Sequence, residues 1–145
     1  MSNSDHTWIG AEFQVRVKNW FQKQFGSEFE LEVKIPIGSP AKVHKFDIAS
    51  VDRRIVIECK RYTWTETGNV PSAKIRATNE AAFFLSFLPS NYDKYIVMLH
   101  SHHKKKHESL AEYYFRAYNH LVGRIKIAEY DPETDELRII KAENR

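Results

Sequence analysis

The sequence predicts an α/β domain in which a central mixed β-sheet is flanked by helices. Three observations carry this. Phe13, Val17, Trp20 and Phe21 fall at i, i+4, i+7 and i+8, one apolar stripe of a helix. The period then becomes two: Phe29, Leu31, Val33, Ile35 and Ile37 alternate with Glu30, Glu32, Lys34 and Pro36, the pattern of a half-buried strand. Further on, Tyr95–His100 is a short apolar run of the kind seen in a strand covered on both faces.

Taken in order, the first helix runs from Ile9 to Phe25, and Gly26 stops it. The strand Phe29–Ile37 follows, with Pro36 marking a sheet edge or the strand's end, and Gly38-Ser39-Pro40 turns the chain. His44–Val51 reads as a second strand and Arg54–Tyr62 as a third. A polar loop to Pro71 leads to Ser72, the expected cap of a helix that runs to about Leu88 and ends at Pro89. After the Tyr95–His100 strand come a helix, Glu108–Val122, and two strands, Arg124–Tyr130 and Glu136–Lys141, around Asp131-Pro132-Glu133-Thr134-Asp135. The order is α-β-β-β-α-β, then α and a C-terminal β-hairpin.

No repeat, linker or low-complexity tract divides the 145 residues, so the chain reads as one domain, with 42% hydrophobic and 28% charged residues. Its longest apolar run, Ala81–Leu88, is broken by Ser86 and falls far short of the roughly 20 residues of a membrane helix. Met1–Trp8 is polar and lacks the layout of a signal peptide. The lone Cys59 excludes an internal disulfide and points to a reducing, cytoplasmic setting. Net charge is only +3, but its distribution is uneven. Residues 41–76 hold eight basic side chains against four acidic ones, and His102-His103-Lys104-Lys105-Lys106-His107 adds a second basic run. A polyanion-binding surface needs such a concentration.

The second and third strands hold the residues suited to chemistry. With Asp52-Arg53 as a two-residue turn, Val51 faces Arg54, Ser50 faces Ile55 and Asp47 faces Glu58. Side chains so opposed share a face, with Cβ atoms about 4.5–5.5 Å apart. Lys60 lies on that face too, while Ile55, Ile57 and Cys59 point into apolar packing. Opposed carboxylates repel unless a cation sits between them, and Mg²⁺ suits two carboxylates completed by waters and phosphate oxygens. An exposed salt-bridge cluster is the competing reading. The charges' place at the end of an apolar strand argues against it.

Phe46-Asp47, a ten-residue spacer and Ile57-Glu58-Cys59-Lys60, set in this element order over residues 9–100, resemble the PD-(D/E)xK nuclease superfamily, the restriction-endonuclease-like fold. The Ile-Glu-Cys-Lys strand is also similar to that of archaeal-type Holliday-junction resolvases. Phe46 stands where the family name has proline. The resemblance implies Asp47 and Glu58 as Mg²⁺ ligands (Mn²⁺ substituting), the Cys59 backbone carbonyl as a further ligand, and Lys60 as the catalytic lysine. It also implies a first-helix glutamate near the metal, a position matched by Glu12, which reads equally well as a first-turn helix residue. From the following helix, Lys74 and Asn79 are the polar candidates.

Lys104, Lys105 and Lys106 suit phosphate contacts, and Trp64 suits stacking on a base or covering core. His100, His102, His103 and His107 lack a cysteine or carboxylate to complete a tetrahedral zinc set. The expected function is metal-dependent endonucleolytic cleavage of DNA, structure-selective or weakly sequence-specific, because so short a chain has little mass for reading sequence. Homodimerisation, or a partner that supplies specificity, is expected for cutting both strands. No membrane and no organic cofactor are expected. The alternatives are a non-catalytic nucleic-acid-binding module of the same fold, a subunit that needs a partner for activity, and a scaffold with a fortuitous charge cluster.

Overall fold

The structure, a computed structural model, describes residues 10–142. The first expected helical residue, Ile9, and the Met1–Trp8 stretch lie outside them. The elements are α1 (Gly10–Phe25), β1 (Phe29–Ile37), β2 (Lys42–Ser50), β3 (Ile55–Lys60), α2 (Ser72–Ser86), β4 (Asp93–Leu99), α3 (Leu110–Val122), β5 (Lys126–Asp131) and β6 (Glu136–Ile139). All six strands form one sheet in sequence order. β1, β2 and β3 pair antiparallel, β3, β4 and β5 parallel, and β6 closes a hairpin on β5. This is the α/β mixed sheet that the sequence predicts, with its elements in the predicted order and its C-terminal hairpin.

Helices cover both faces. Phe13, Val17 and Phe21 of α1 pack on Ile48, Ile57, Tyr95 and Val97. On the other face, Ile75, Ala82 and Leu85 of α2 and Leu110 and Tyr114 of α3 pack on Val56, Ile96, Met98 and Ile127. Central β4 must therefore be apolar throughout, and residues 95–99 are all buried. Each such side chain contributes roughly 1.5–3 kcal/mol on burial. No helix among the described residues is long and apolar enough to cross a membrane.

The differences from expectation are local. Ser72 is the first residue of α2, not its cap. Pro71 precedes it, and the Lys74 and Ile75 amides donate to the Pro71 carbonyl at 2.9 and 3.0 Å. α3 starts two residues late because Ser109 caps it. Ser109 Oγ accepts from the Glu112 amide (3.2 Å), and Glu112 Oε1 accepts from the Ser109 amide (2.8 Å). The β2–β3 turn is wider than the expected Asp52-Arg53 pair. Ser50 Oγ accepts from the Arg54 and Ile55 amides, the Arg53 amide donates to the Ser50 carbonyl at 2.9 Å, and Val51 and Arg54 leave the ladder. The register survives, because Ile48 pairs with Ile57 and Ala49 with Val56.

Ser109 is 2% exposed and its cap bonds are complete. Ser109→Ala is expected to cost about 1–2 kcal/mol, read as a lowered midpoint of urea unfolding.

Candidate metal and active site

β2 breaks its own alternation at Asp47. Phe46 packs in the α2–α3 core, whereas Ile48, two residues on, packs in the α1 core. β1 makes the same exchange between Phe29 and Val33. Between them Glu32 adopts φ 55, in the gap between the pairs Leu31↔Ile48 and Val33↔Phe46. The expected unbroken alternation of β1 therefore fails at Leu31, which is exposed at the exchange. α1 reaches this point through Gln14, only 8% exposed, whose Nε2 donates to the Asp47 carbonyl at 2.7 Å and to Glu32 Oε1 at 3.2 Å. One amide thus supplies both its protons to the kink.

The Asp47 side chain takes over where the β2–β3 ladder stops. Its Oδ2 accepts from the Cys59 amide at 2.7 Å. Asp47 lies beyond the last ladder pair, Ile48 with Ile57, and meets Glu58 through its side chain instead of as the expected strand pair. Glu58 is 5% exposed, which rules out the solvated salt-bridge cluster. Burial first, then its hydrogen bond with Asp47 and the charge of Asp47, push the Glu58 carboxyl up to about 9 against the pull of the Lys60 ammonium. The Cys59 thiol is pushed well above its ordinary range, chiefly by burial, so it stays protonated and is no nucleophile.

Two residues unseen in the sequence complete the cluster. Gln14 is one, and its signal was a polar residue set at i, i+3 and i+7 with Val17 and Phe21. His44 is the other. Its Nε2 stands 3.4 Å from Glu58 Oε1, and its ring stacks on Phe84 of α2 at 4.0 Å. Burial lowers its pKa, partly offset by the charges of Asp47 and Glu80, so the ring is neutral at pH 7. A neutral imidazole donates or accepts according to tautomer and so partners Glu58 in either protonation state.

Lys60 and Lys74 both stand over the Tyr62 ring, 5.9 and 5.3 Å from its centre, so α2 does bring Lys74 to the end of β3. Asn79 goes elsewhere: its Oδ1 accepts from the Tyr114 hydroxyl at 2.8 Å, joining α2 to α3. Trp64 is 5% exposed and belongs to the core, with Lys106 over its ring at 4.9 Å, so it offers no stacking surface to a base. Glu12 lies exposed in the first turn of α1, and the position that reaches the site is Gln14. Lys104 and Lys105 are exposed. His103 spends both ring nitrogens on the backbone: Nε2 on the Glu66 carbonyl (2.8 Å) and Nδ1 on the Lys105 amide (3.1 Å).

Among the described residues no three His, Cys, Asp or Glu side chains form a set able to hold a metal ion. Asp47 and Glu58, with the Cys59 carbonyl, are oxygen donors of the kind Mg²⁺ takes when waters complete its shell. A buried carboxyl raised to about 9 beside a second carboxylate fits a position that a divalent cation would stabilise. No family model, curated protein or solved structure matches the chain.

Without metal, Glu58 binds a proton on folding. Its contribution to stability is complete below its ordinary 4.5 and is lost as pH rises through about 9. At pH 7 the loss is on the order of 3 kcal/mol. Glu58→Gln is expected to raise the thermal midpoint of the metal-free protein at pH 8 and to flatten its pH dependence, measured by circular dichroism.

Proposed function

We propose that the chain is a PD-(D/E)xK nuclease that hydrolyses DNA phosphodiester bonds with Mg²⁺, which Mn²⁺ replaces. The observation that carries this reading is the buried Glu58 carboxyl, raised to about 9 beside Asp47, with Lys60 two residues further along β3. Asp47, Glu58 and the Cys59 carbonyl would hold the cation. When bound, it supplies an acidified water and charge stabilisation at the leaving oxygen. Gln14 keeps the Asp47 backbone fixed, and His44 keeps a partner on Glu58 as that carboxyl gives up its proton. The Lys60 ammonium donates to the scissile phosphate, and Lys74, sharing the Tyr62 ring, extends the contact along the strand.

Of the basic candidates, Lys74, Lys104 and Lys105 are exposed and suit backbone contacts more than base reading, which favours structure-selective or weakly specific cutting. The working form is a homodimer, or a complex with a partner that supplies specificity, in the cytoplasm.

Cleavage of supercoiled, linear, single-stranded and branched DNA is the direct test. Cutting is expected with Mg²⁺ or Mn²⁺ and none with EDTA, and Asp47→Ala and Lys60→Ala are each expected to lower the rate at least about 100-fold. DNA retained in a gel shift but cut under no condition would favour the non-catalytic binding module. Because a proton leaves Glu58 when the cation enters, Mg²⁺ affinity is expected to rise up to about tenfold per pH unit below about 9, measured by titration calorimetry.

A further inference from the structure

A second buried carboxylate, Glu129, lies in the same sheet and takes no part in the site above. Lys60 pairs with Met98 of β4, and Met98 pairs with Glu129 of β5, so the three stand in one row. His100 follows Met98 by two residues, and its amide continues the β4–β5 ladder to the Tyr130 carbonyl at 2.8 Å. His100 and Lys60 are therefore diagonal neighbours at the carboxyl ends of parallel strands, their Cα atoms about 8 Å apart from strand spacing and rise. Ligands of open α/β sheets bind at such ends.

The His100 ring is held in place from behind. Its Nδ1 stands 3.2 Å from Glu129 Oε1, and Glu129 is 4% exposed. The two atoms are in close contact without a hydrogen bond, since Glu129 Oε1 has no such partner, and Nδ1 is the ring nitrogen nearer Glu129. Arg138 of β6 grips the other oxygen through Nε (3.1 Å) and Nη2. The guanidinium offsets the Glu129 charge, so the ring presents no acidic surface to an anion. The His100 side chain itself is 39% exposed.

Resting on the nuclease reading, we infer that His100, oriented by Glu129, binds a phosphate of the DNA strand next to the one that Lys60 engages. The ring then lies between the buried carboxylate beside Nδ1 and a phosphodiester at its exposed edge.

The test is the affinity of the full chain for a short fluorescently labelled DNA duplex in EDTA, by anisotropy, across a salt series. His100→Ala is expected to weaken binding about tenfold, to reduce the slope of log K against log salt by about one, and to leave the thermal midpoint unchanged. His100→Lys is expected to recover most of the affinity. Wild-type affinity and slope in His100→Ala overturn the inference, and a lowered thermal midpoint with unchanged affinity assigns His100 to the β4–β5 packing instead. A wild-type chain with no measurable DNA affinity removes the nuclease reading and this contact together.

Discussion

Gln14 and Asp47 share the hydrogen bond on which the site's geometry depends. Two strands exchange faces at one level of the sheet, and a carbonyl that would point along the ladder is turned toward α1 instead. A buried carbonyl without a donor costs about 1–3 kcal/mol, so the kink persists only because an amide is waiting there. With the backbone fixed, the Asp47 carboxylate is free to cap the Cys59 amide, and that bond in turn ends the β2–β3 ladder. The gap so opened is where Glu58 meets His44. The helix at one face thus sets the position of a carboxylate serving the other.

The sheet holds two buried glutamates with opposite fates. Burial raises both carboxyls. At Glu129 the hydrogen bonds from Ser109 and Arg138, with the charges of Arg138 and His100, outweigh it and hold the group below its ordinary value. At Glu58 no fixed cation comes as close: Lys60 lowers it, but its ammonium stands over Tyr62 while Asp47 pushes the other way. One carboxylate is compensated within the fold, and on the proposed reading the other is left to an outside cation. That contrast lies in their partners, since burial raises both carboxyls and only Glu129 has cationic neighbours that outweigh it.

The order of elements was legible because each carries its own period: the α1 stripe, the β1 alternation, the continuous run of β4. The register that brings Asp47 near Glu58 was legible too, although the ladder ends at Ile48 and Ile57 and the turn is four residues wide. Its length escaped because Ser50, a strand residue, closes it with its side chain. The face exchange at Glu32 and Asp47 was not legible at all. A non-glycine residue in a left-handed conformation leaves no mark in a run that reads Phe-Glu-Leu-Glu-Val, and its stabilising partner, Gln14, lies on a different element. Trp64 and Asn79 failed for a related reason. An aromatic ring or an amide in a loop or helix has the same chemistry whether it faces a ligand or the core, and only tertiary packing decides.

The ends of the sheet bear on how two copies can meet. β1 is its long edge, and there Pro36 lacks an amide donor, Glu32 twists the backbone out of line, and Glu30 and Lys34 stand charged and exposed. β6, the opposite edge, has only four residues. Neither offers a template on which a neighbour's strand can extend the ladder. Any twofold pairing of this chain would therefore run through helices or loops, leaving the sheet six strands wide in each copy.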